Sequence, residues 1–439
     1  MRPAVTDLDT GQGPPTAIPL RHFLVALAFL AAGMGLWVIR LNPTPQRVAP
    51  PLAVVHAVVV GWVCLTILGA MTQFVPVWSG VRLHSTRLAR LQLPLVAGGV
   101  VGIVAGFWST TLWLVPAGGV LAGLGLWLFS YNIWRTLPPR GDRDVTETHF
   151  AVALAFLSAV PAVGLALGAG FLDPAVLDSL PPRDRLVSAH ATMAVFGAIL
   201  PTVFGALYQL AVMFAGTSLD ERDRRFQRVE TAVYPLGVGV LAAGRLLDSD
   251  PVARVGGALV LVGVAAFTVV LGRVLRRRTI ETTPTLARYG VVAVALACWV
   301  VLTVPAWVGG DATAATARYG GPGGAALLLF GAVAVVVVGS LYHVIPFLVW
   351  LERYSDLLGY EPVPMVEDLF DHRLARADFW LVVAGTGLVA GADLRWVPGT
   401  VFTGGVVLLL TGFLLVAANM GLVVHRDASR PDRGAVDAD

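Results

Sequence analysis

The sequence predicts an all-α, polytopic membrane protein with twelve transmembrane helices, and three observations support this prediction. The 439-residue chain is 56% hydrophobic and 13% charged, whereas a soluble domain carries about 25% charged residues. Its apolar segments are long enough to cross a bilayer, which takes about 20 residues each. Its arginines are concentrated in alternate loops. This composition excludes a soluble globular enzyme, a disordered chain and a nucleic-acid-binding protein, and makes the lipid bilayer a partner.

Twelve apolar segments follow one another along the chain. They lie at 19–41, 51–78, 91–109, 111–134, 148–170, 186–215, 230–247, 251–275, 284–308, 321–350, 375–393 and 396–424. The third and fourth are separated only by Ser109-Thr110-Thr111, which predicts a tight polar turn. The seventh is short and ends at Arg245. We expect a single transmembrane domain over 19–424 between disordered tails at 1–18 and 425–439.

The arginine count predicts the orientation of the chain. All 31 basic residues are arginines. With twelve segments, the tails and the loops after even-numbered segments hold 23 arginines, and the other loops hold 8. The positive-inside rule therefore places both termini in the cytoplasm, with the chain in the plasma membrane. Acids are expected only at segment ends, as at Glu147, Asp248, Asp250 and Asp378, which argues against an ordinary proton-coupled transporter.

A short motif recurs in segments 2, 6 and 10. It reads Gly-Ala-Met-Thr-Gln-Phe-Val-Pro from Gly69, Gly-Ala-Leu-Tyr-Gln-Leu-Ala-Val from Gly205 and Gly-Ser-Leu-Tyr-His-Val-Ile-Pro from Gly339. The separations are 136 and 134 residues, and the three segments run in the same direction. The pattern predicts three four-helix repeats, although Gly and Ala also recur by chance in such a chain. The repeats would cover about 19–134, 148–275 and 284–424.

Three of the eight histidines lie within apolar segments. The other five lie at segment ends or in loops, where headgroups or solvent are expected around them: His22, His84, His149, His372 and His425. His56 and His190 lie about 6–8 Å below the outer ends of segments 2 and 6. An imidazole at this depth needs a partner. Two at similar depth predict a pair of axial haem ligands; the alternative is a hydrogen bond from each to a backbone carbonyl on a neighbouring helix.

A second set of polar residues lies near the cytoplasmic ends of segments 2, 6 and 10. Its members are Thr72, Gln73, Tyr208, Gln209, Tyr342 and His343. His343 takes the place that Gln73 and Gln209 have in the other repeats, so it is interpreted chiefly as a hydrogen-bonding group. In a permease, the set would line part of the pathway.

These features resemble subunit I of the haem–copper oxidases and nitric oxide reductases. The runs from His56 to Pro76 and from Tyr342 to Trp350 are more similar to a divergent branch, small haem–copper-oxidase-like membrane proteins that include relatives of proteins of the nitric oxide response. The resemblance implies that His56 ligates a low-spin haem and that His190 occupies the position of a copper ligand. The repeat spacing, however, places Thr192 at the equivalent of His56.

The chain departs from this family in its ligands. Segment 7 has Glu-Thr-Ala-Val-Tyr-Pro from Glu230 where the family has two adjacent histidines, and segment 10 begins with Gly-Gly-Pro-Gly-Gly from Gly320 where the family has a further one. Two of six expected ligands remain. Tyr208 lies about five turns below His190, too far to act as the family's cross-linked tyrosine. We therefore expect no copper and no oxygen reduction or proton pumping by the oxidase mechanism.

Three functions are compatible with these observations. The first is a degenerate haem protein in respiratory electron transfer, in the response to oxygen or nitric oxide, or in assembly with respiratory-chain subunits. The second is a cofactor-free permease or structural membrane protein that keeps the oxidase fold. The third is a reduced but active oxidoreductase with unfamiliar ligands, related to cytochrome oxidase or nitric oxide reductase. A visible absorption spectrum separates the second from the other two.

Overall fold

The computed structural model describes residues 14–41 and 50–428, and within these ranges the chain forms helices and no β-strand. Twelve long helices follow one another in the order that the sequence predicts. They are α1 (Ala17–Leu41), α2 (Pro51–Ser79), α3 (Thr86–Ser109), α4 (Leu114–Thr136), α5 (Val145–Ala169), α6 (Arg183–Phe214), α7 (Glu221–Leu247), α8 (Asp250–Arg276), α9 (Pro284–Gly309), α10 (Gly324–Arg353), α11 (His372–Asp393) and α12 (Val401–Ala428).

Eleven of the twelve helices are long and apolar enough to cross a membrane, which confirms a polytopic, multi-pass membrane protein. Most of the predicted disordered tails, 1–18 and 425–439, lies outside the described residues. Where the structure does describe them, α1 begins at Ala17 and α12 continues to Ala428. We call the face at which α1 begins and α12 ends the terminal face, and the opposite one the distal face.

Helix α7 is longer than its apolar segment. The segment begins at Glu230, whereas the helix begins at Glu221. Its first turn is stabilised by a capping box, in which the Asp220 side chain accepts the Asp223 amide and the Asp223 side chain accepts the Asp220 amide. The first turns of α7 are polar, so a hydropathy pattern does not detect where the helix begins. Because the helix begins at Glu221, Glu230 lies well inside it.

Three helix pairs pack with their backbones in contact, and glycine makes this possible. A Cβ atom on Gly99 of α3 would lie 2.3 Å from the amide nitrogen of Ala122 in α4. A Cβ on Gly256 of α8 would lie 2.2 Å from the amide nitrogen of Leu241 in α7, and one on Gly385 of α11 would meet the α12 backbone at 2.7 Å. In a bilayer the hydrophobic effect does not drive helices together. Small residues therefore stabilise helix pairs by allowing close packing.

The motif glycines of α2, α6 and α10 share one packing environment. A Cβ on Gly69 would lie 2.7 Å from the Cβ of His22 in α1, and one on Gly205 would lie 2.8 Å from the Cβ of His149 in α5. Gly339 packs in the same way against α9, at 3.0 Å from the nearest side-chain atom. The recurring sequence motif therefore coincides with a recurring helix contact.

The same three helices each contain a short π-helical stretch in their distal halves. These stretches are His56–Cys64, Met193–Ile199 and Leu327–Ala334. A π-helical turn widens a helix and is often found at functional sites. The first stretch begins at His56, so the structure marks that part of α2 as locally unusual.

A small cavity of about 80 Å³ lies where α2, α6 and α10 meet. Matching positions of the three helices line it, such as Ile67, Val203 and Val337. Its wall is almost entirely apolar. It is far smaller than the roughly 300–1,000 Å³ of a typical cofactor pocket, so it is not where a tetrapyrrole would bind.

Candidate functional site

His56 stands at the start of the π-helical stretch of α2. Its Nδ1–H donates a hydrogen bond of 2.8 Å to the carbonyl oxygen of Leu52, one turn earlier. Its ring lies beside Phe107 of α3, with ring centroids 5.5 Å apart. Because Nδ1 carries the proton, Nε2 of the neutral imidazole is a free lone-pair donor, and it has no hydrogen-bond partner among the residues that the structure describes.

His190 presents the same arrangement from α6. Its Nδ1–H donates to the carbonyl oxygen of Val160 in α5 at 3.1 Å. A Cβ on Gly164 of α5 would lie 3.1 Å from the Cε1 of this ring, so the missing side chain gives the imidazole its space. In the described ranges, the Nε2 of His190 also lacks a hydrogen-bond partner.

The two imidazoles lie in the distal halves of α2 and α6, His56 at the start of one π-helical stretch and His190 three residues before the other. Phe107 of α3 contacts both His56 and Phe171, which lies just after α5. The bond from His190 to Val160 in α5 is the inter-helix carbonyl bond expected for an uncoordinated histidine, whereas His56 bonds a carbonyl of its own helix; each ring leaves one nitrogen available. A metal-ligating histidine commonly has its other ring N–H fixed by a carbonyl in this way. The donor chemistry of the pair therefore fits axial ligation of a haem iron.

The predicted polar set near the terminal face does not form one group. Thr72, Tyr208 and Tyr342 each contact a different set of helices. Gln209 is exposed, and the His343 ring packs on Phe214 at 4.3 Å between centroids. Gln73 is buried, and its Oε1 has no partner in the described part of the chain. A pathway along these residues stays a prediction.

The structure instead shows a buried ionic group that the sequence analysis missed, which we call cluster II. Glu230 of α7 is fully buried, and its Oε1 lies 2.9 Å from the Nε2 of His149 in α5. Tyr208 of α6 donates its hydroxyl to Glu230 at 3.1 Å. The Nδ1–H of His149 donates to the carbonyl oxygen of Val145 at 2.7 Å. Three helices are therefore joined by one buried carboxylate.

A second ionic group, cluster III, lies at the corresponding position in the last four helices. Arg288 of α9 forms an ion pair with Asp378 of α11, and both side chains are almost fully buried. Tyr342 of α10 donates its hydroxyl to the other oxygen of Asp378. Asn419 of α12 donates to that hydroxyl at 3.1 Å.

Cluster I, in the first four helices, has the same layout without an acid. The Gln92 Nε2 of α3 lies 3.3 Å from the His22 Nε2 of α1 and 3.3 Å from the hydroxyl of Thr72 in α2. The His22 Nδ1–H donates to the carbonyl oxygen of Ile18 at 2.8 Å. All three side chains of the cluster are fully buried.

These clusters correct two sequence-based expectations. His22 and His149 were expected at headgroup level, but both are buried between helices. The interior was expected to lack acids, but Glu230 and Asp378 lie inside the bundle because α7 and α11 begin earlier than their apolar segments. A sequence signal was present: a basic side chain followed by an aromatic ring recurs early in α1, α5 and α9, as His22-Phe, His149-Phe and Arg288-Tyr.

Comparison with known proteins adds no family assignment. No protein-family model matches this chain, and no curated protein matches it in sequence.

Proposed function

We propose that this chain is a haem-binding membrane protein with the architecture of haem–copper oxidase subunit I, in which His56 and His190 are the axial ligands. One observation carries the proposal. One imidazole lies in the distal half of α2 and one in that of α6, each with Nδ1–H held by a backbone carbonyl and with Nε2 unpartnered among the described residues. Histidines that ligate metals commonly have this pattern.

The proposed architecture is three four-helix repeats, α1–α4, α5–α8 and α9–α12. Four recurring features support it: the motif glycines, the π-helical stretches, the close helix pairs and the terminal clusters. We further propose that the terminal face is cytoplasmic and that the chain lies in the plasma membrane, because that face collects most of the arginines.

The chain's own residues define what such a site would do. When bound, a haem supplies one-electron redox chemistry, and it would bind a diatomic gas only where the gas displaces one of the two histidines. His56 and His190 would hold the iron, and the carbonyls of Leu52 and Val160 would fix the orientation of the rings. No copper is part of the proposal, because α7 contains no histidine. The proposed role is respiratory electron transfer or an oxygen or nitric oxide response, in contact with respiratory subunits.

The test is the visible absorption spectrum of the purified protein, expressed with haem precursor or titrated with hemin. We expect a low-spin, six-coordinate spectrum that sharpens on reduction. H56A should abolish haem binding or make it five-coordinate and carbon-monoxide-reactive, and H190A should do the same. H343A is the matched control, because that imidazole packs on Phe214, away from the pair, and the spectrum should not change.

A colourless protein that also fails to bind added hemin would reject the proposal and favour the cofactor-free permease or structural protein. A haem spectrum that is unchanged in both H56A and H190A would show that other residues ligate the iron, and would reject the assignment of this site.

A further inference from the structure

Arg245, in the last turn of α7 at the distal face, is 1% exposed. Its guanidinium donates to the carbonyl oxygens of Ala312, Ala317 and Arg318, at 3.0–3.1 Å, and to the hydroxyl of Thr192 at 2.7 Å. All four acceptors are neutral. This side chain therefore holds a full positive charge inside the protein without a carboxylate.

Arg318 adds a second positive charge next to it. It is half-buried in the loop between α9 and α10, and its carbonyl oxygen accepts a hydrogen bond of 3.0 Å from Arg245. Its Nη2 reaches the hydroxyl of Ser188 in α6 at 3.3 Å. Its Nε–H is buried and has no hydrogen-bond partner in the part of the chain that the structure describes. The guanidinium is thus partly exposed, while its Nε–H is buried without a partner in that part of the chain.

The neighbouring carboxylates are occupied by other groups. Asp250 pairs with Arg254 and accepts the amide of Ala312, while Asp248 pairs with Arg185. No ion pair joins either Arg245 or Arg318 to an acid within the described ranges. Two like charges at low dielectric repel each other and are costly to bury without an anion.

We propose that Arg318, with Arg245 behind it, binds a phosphate group at the distal face. Arginine presents N–H donors in a planar fork that matches phosphate oxygens, and the half-buried Arg318 guanidinium, which contacts the Ser188 hydroxyl, has no acidic partner within the described ranges. The phosphate comes either from an anionic lipid headgroup or from free inorganic phosphate. Headgroup depth suits the first source, because the loop joins the distal ends of α9 and α10.

This site is separate from the imidazole pair. Ser188 and Thr192, which contact the two arginines, each lie two residues from His190 on α6. Two residues correspond to about 200° around an α-helix, so the arginines and the imidazole occupy different sides. Phosphate binding at the arginines can therefore be tested independently of haem binding at the imidazoles.

The test measures binding to the full chain in detergent micelles, by thermal shift and native mass spectrometry. Phosphatidylglycerol is titrated in one arm and inorganic phosphate in the other, at constant ionic strength. We expect saturable binding, and for R318Q a dissociation constant raised on the order of tenfold or more, since charge-assisted hydrogen bonds are lost. The matched control is R185Q, which removes an arginine of the same face that is already paired with Asp248.

Each outcome decides the question. Saturation by phosphatidylglycerol alone identifies a lipid headgroup site, and saturation by inorganic phosphate as well identifies a free oxyanion site. Binding of neither probe to the wild type rejects the proposal. Equal loss in R318Q and R185Q also rejects it, because that result indicates general attraction to surface charge. Native folding of R318Q is checked by circular dichroism, and R318K, which keeps the charge without the fork, should weaken binding less than R318Q.

Discussion

Clusters II and III share one arrangement of partners but have different cations. In both, a buried carboxylate accepts a tyrosine hydroxyl from the middle of three helices and pairs with a basic side chain from the first. The cation is His149 in cluster II and Arg288 in cluster III. Histidine can lose its charge near neutral pH, whereas arginine stays charged. The same arrangement of partners therefore holds a dischargeable ion pair in cluster II, whose cation can lose its proton near neutral pH, and a permanent ion pair in cluster III, whose cation stays charged.

The two clusters also differ in how many helices they join. Cluster II joins α5, α6 and α7. Cluster III joins α9, α10 and α11, and Asn419 adds α12 because its side chain bonds both the Tyr342 hydroxyl and the carbonyl oxygen of Asp371. Arg288 also donates to the carbonyl oxygen of Ala375 at 2.8 Å and stacks over the Tyr342 ring. The last four helices should depend more strongly on their cluster than the middle four.

The largest expected effect comes from removing the cation. R288M leaves Asp378 buried without a counter-charge and also frees the carbonyls of Pro284 and Ala375, so it should cost roughly 3–5 kcal/mol of unfolding free energy. H149M should cost less, about 1–3 kcal/mol, because His149 satisfies only Glu230 and one carbonyl of its own helix. Denaturant unfolding in detergent micelles measures both.

The double variant R288M/D378N is the control for this comparison, because it removes the stranded charge together with its partner. It should recover part of the loss seen in R288M. A cost for H149M equal to or above that for R288M would contradict the view that the permanent pair carries more of the stability.

The sequence predicted the helices better than it predicted these clusters. Long apolar segments give the membrane spans directly, and eleven helices meet the length and hydropathy that spans need. Glu230 was missed because it is the first residue of the apolar segment, which placed it at a predicted segment end, and only the capping box of Asp220 and Asp223 reveals the earlier start of the helix. His22 and His149 were missed because their burial depends on contacts with α3 and α7, far away in sequence.

For the distal site, the sequence predicted the depth of the two histidines but not the partner of each hydrogen bond. The depth of His56 and His190 follows from their sequence position, but the free nitrogen of each follows from hydrogen bonds to Leu52 and Val160. Val160 belongs to another helix, so this bond could not be predicted without the fold. Arg245 was noted only as the end of a segment, since nothing in one sequence shows that its partners are loop carbonyls.

A smaller effect is expected from crowding the helix contacts beside the clusters. In G205A the new Cβ would lie 2.8 Å from the Cβ of His149 and 3.1 Å from the carbonyl oxygen of Thr146, so α6 must move away from α5. We expect a loss of about 1–3 kcal/mol. G339A should cost less, because its nearest atom is at 3.0 Å. Thermal unfolding in micelles measures both.

Gly239 of α7 provides the matched control, since no atom lies within 4 Å of its added Cβ. G239A should be neutral or should stabilise the helix by up to about 1 kcal/mol. If G205A behaved like G239A, the close contact between α5 and α6 would not be a determinant of cluster II.

The smallest expected effect separates the two tyrosine hydroxyls. Y342F removes a donor to Asp378 and the acceptor for Asn419, whereas Y208F removes only the donor to Glu230, because His149 still holds that carboxylate. Hydrogen bonds between membrane helices contribute about 0.6 kcal/mol on average and up to about 1.7 kcal/mol. Y342F should therefore cost about 1–2 kcal/mol and Y208F about 0.5–1 kcal/mol, measured by unfolding in the same micelles. Y131F, on an exposed side chain of α4, should cost nothing measurable.

If Y208F proved more costly than Y342F, the tyrosine hydroxyl, and not the cation, would contribute most to the stability of cluster II. The difference in stability between clusters II and III would then not follow from the difference between a dischargeable and a permanent ion pair.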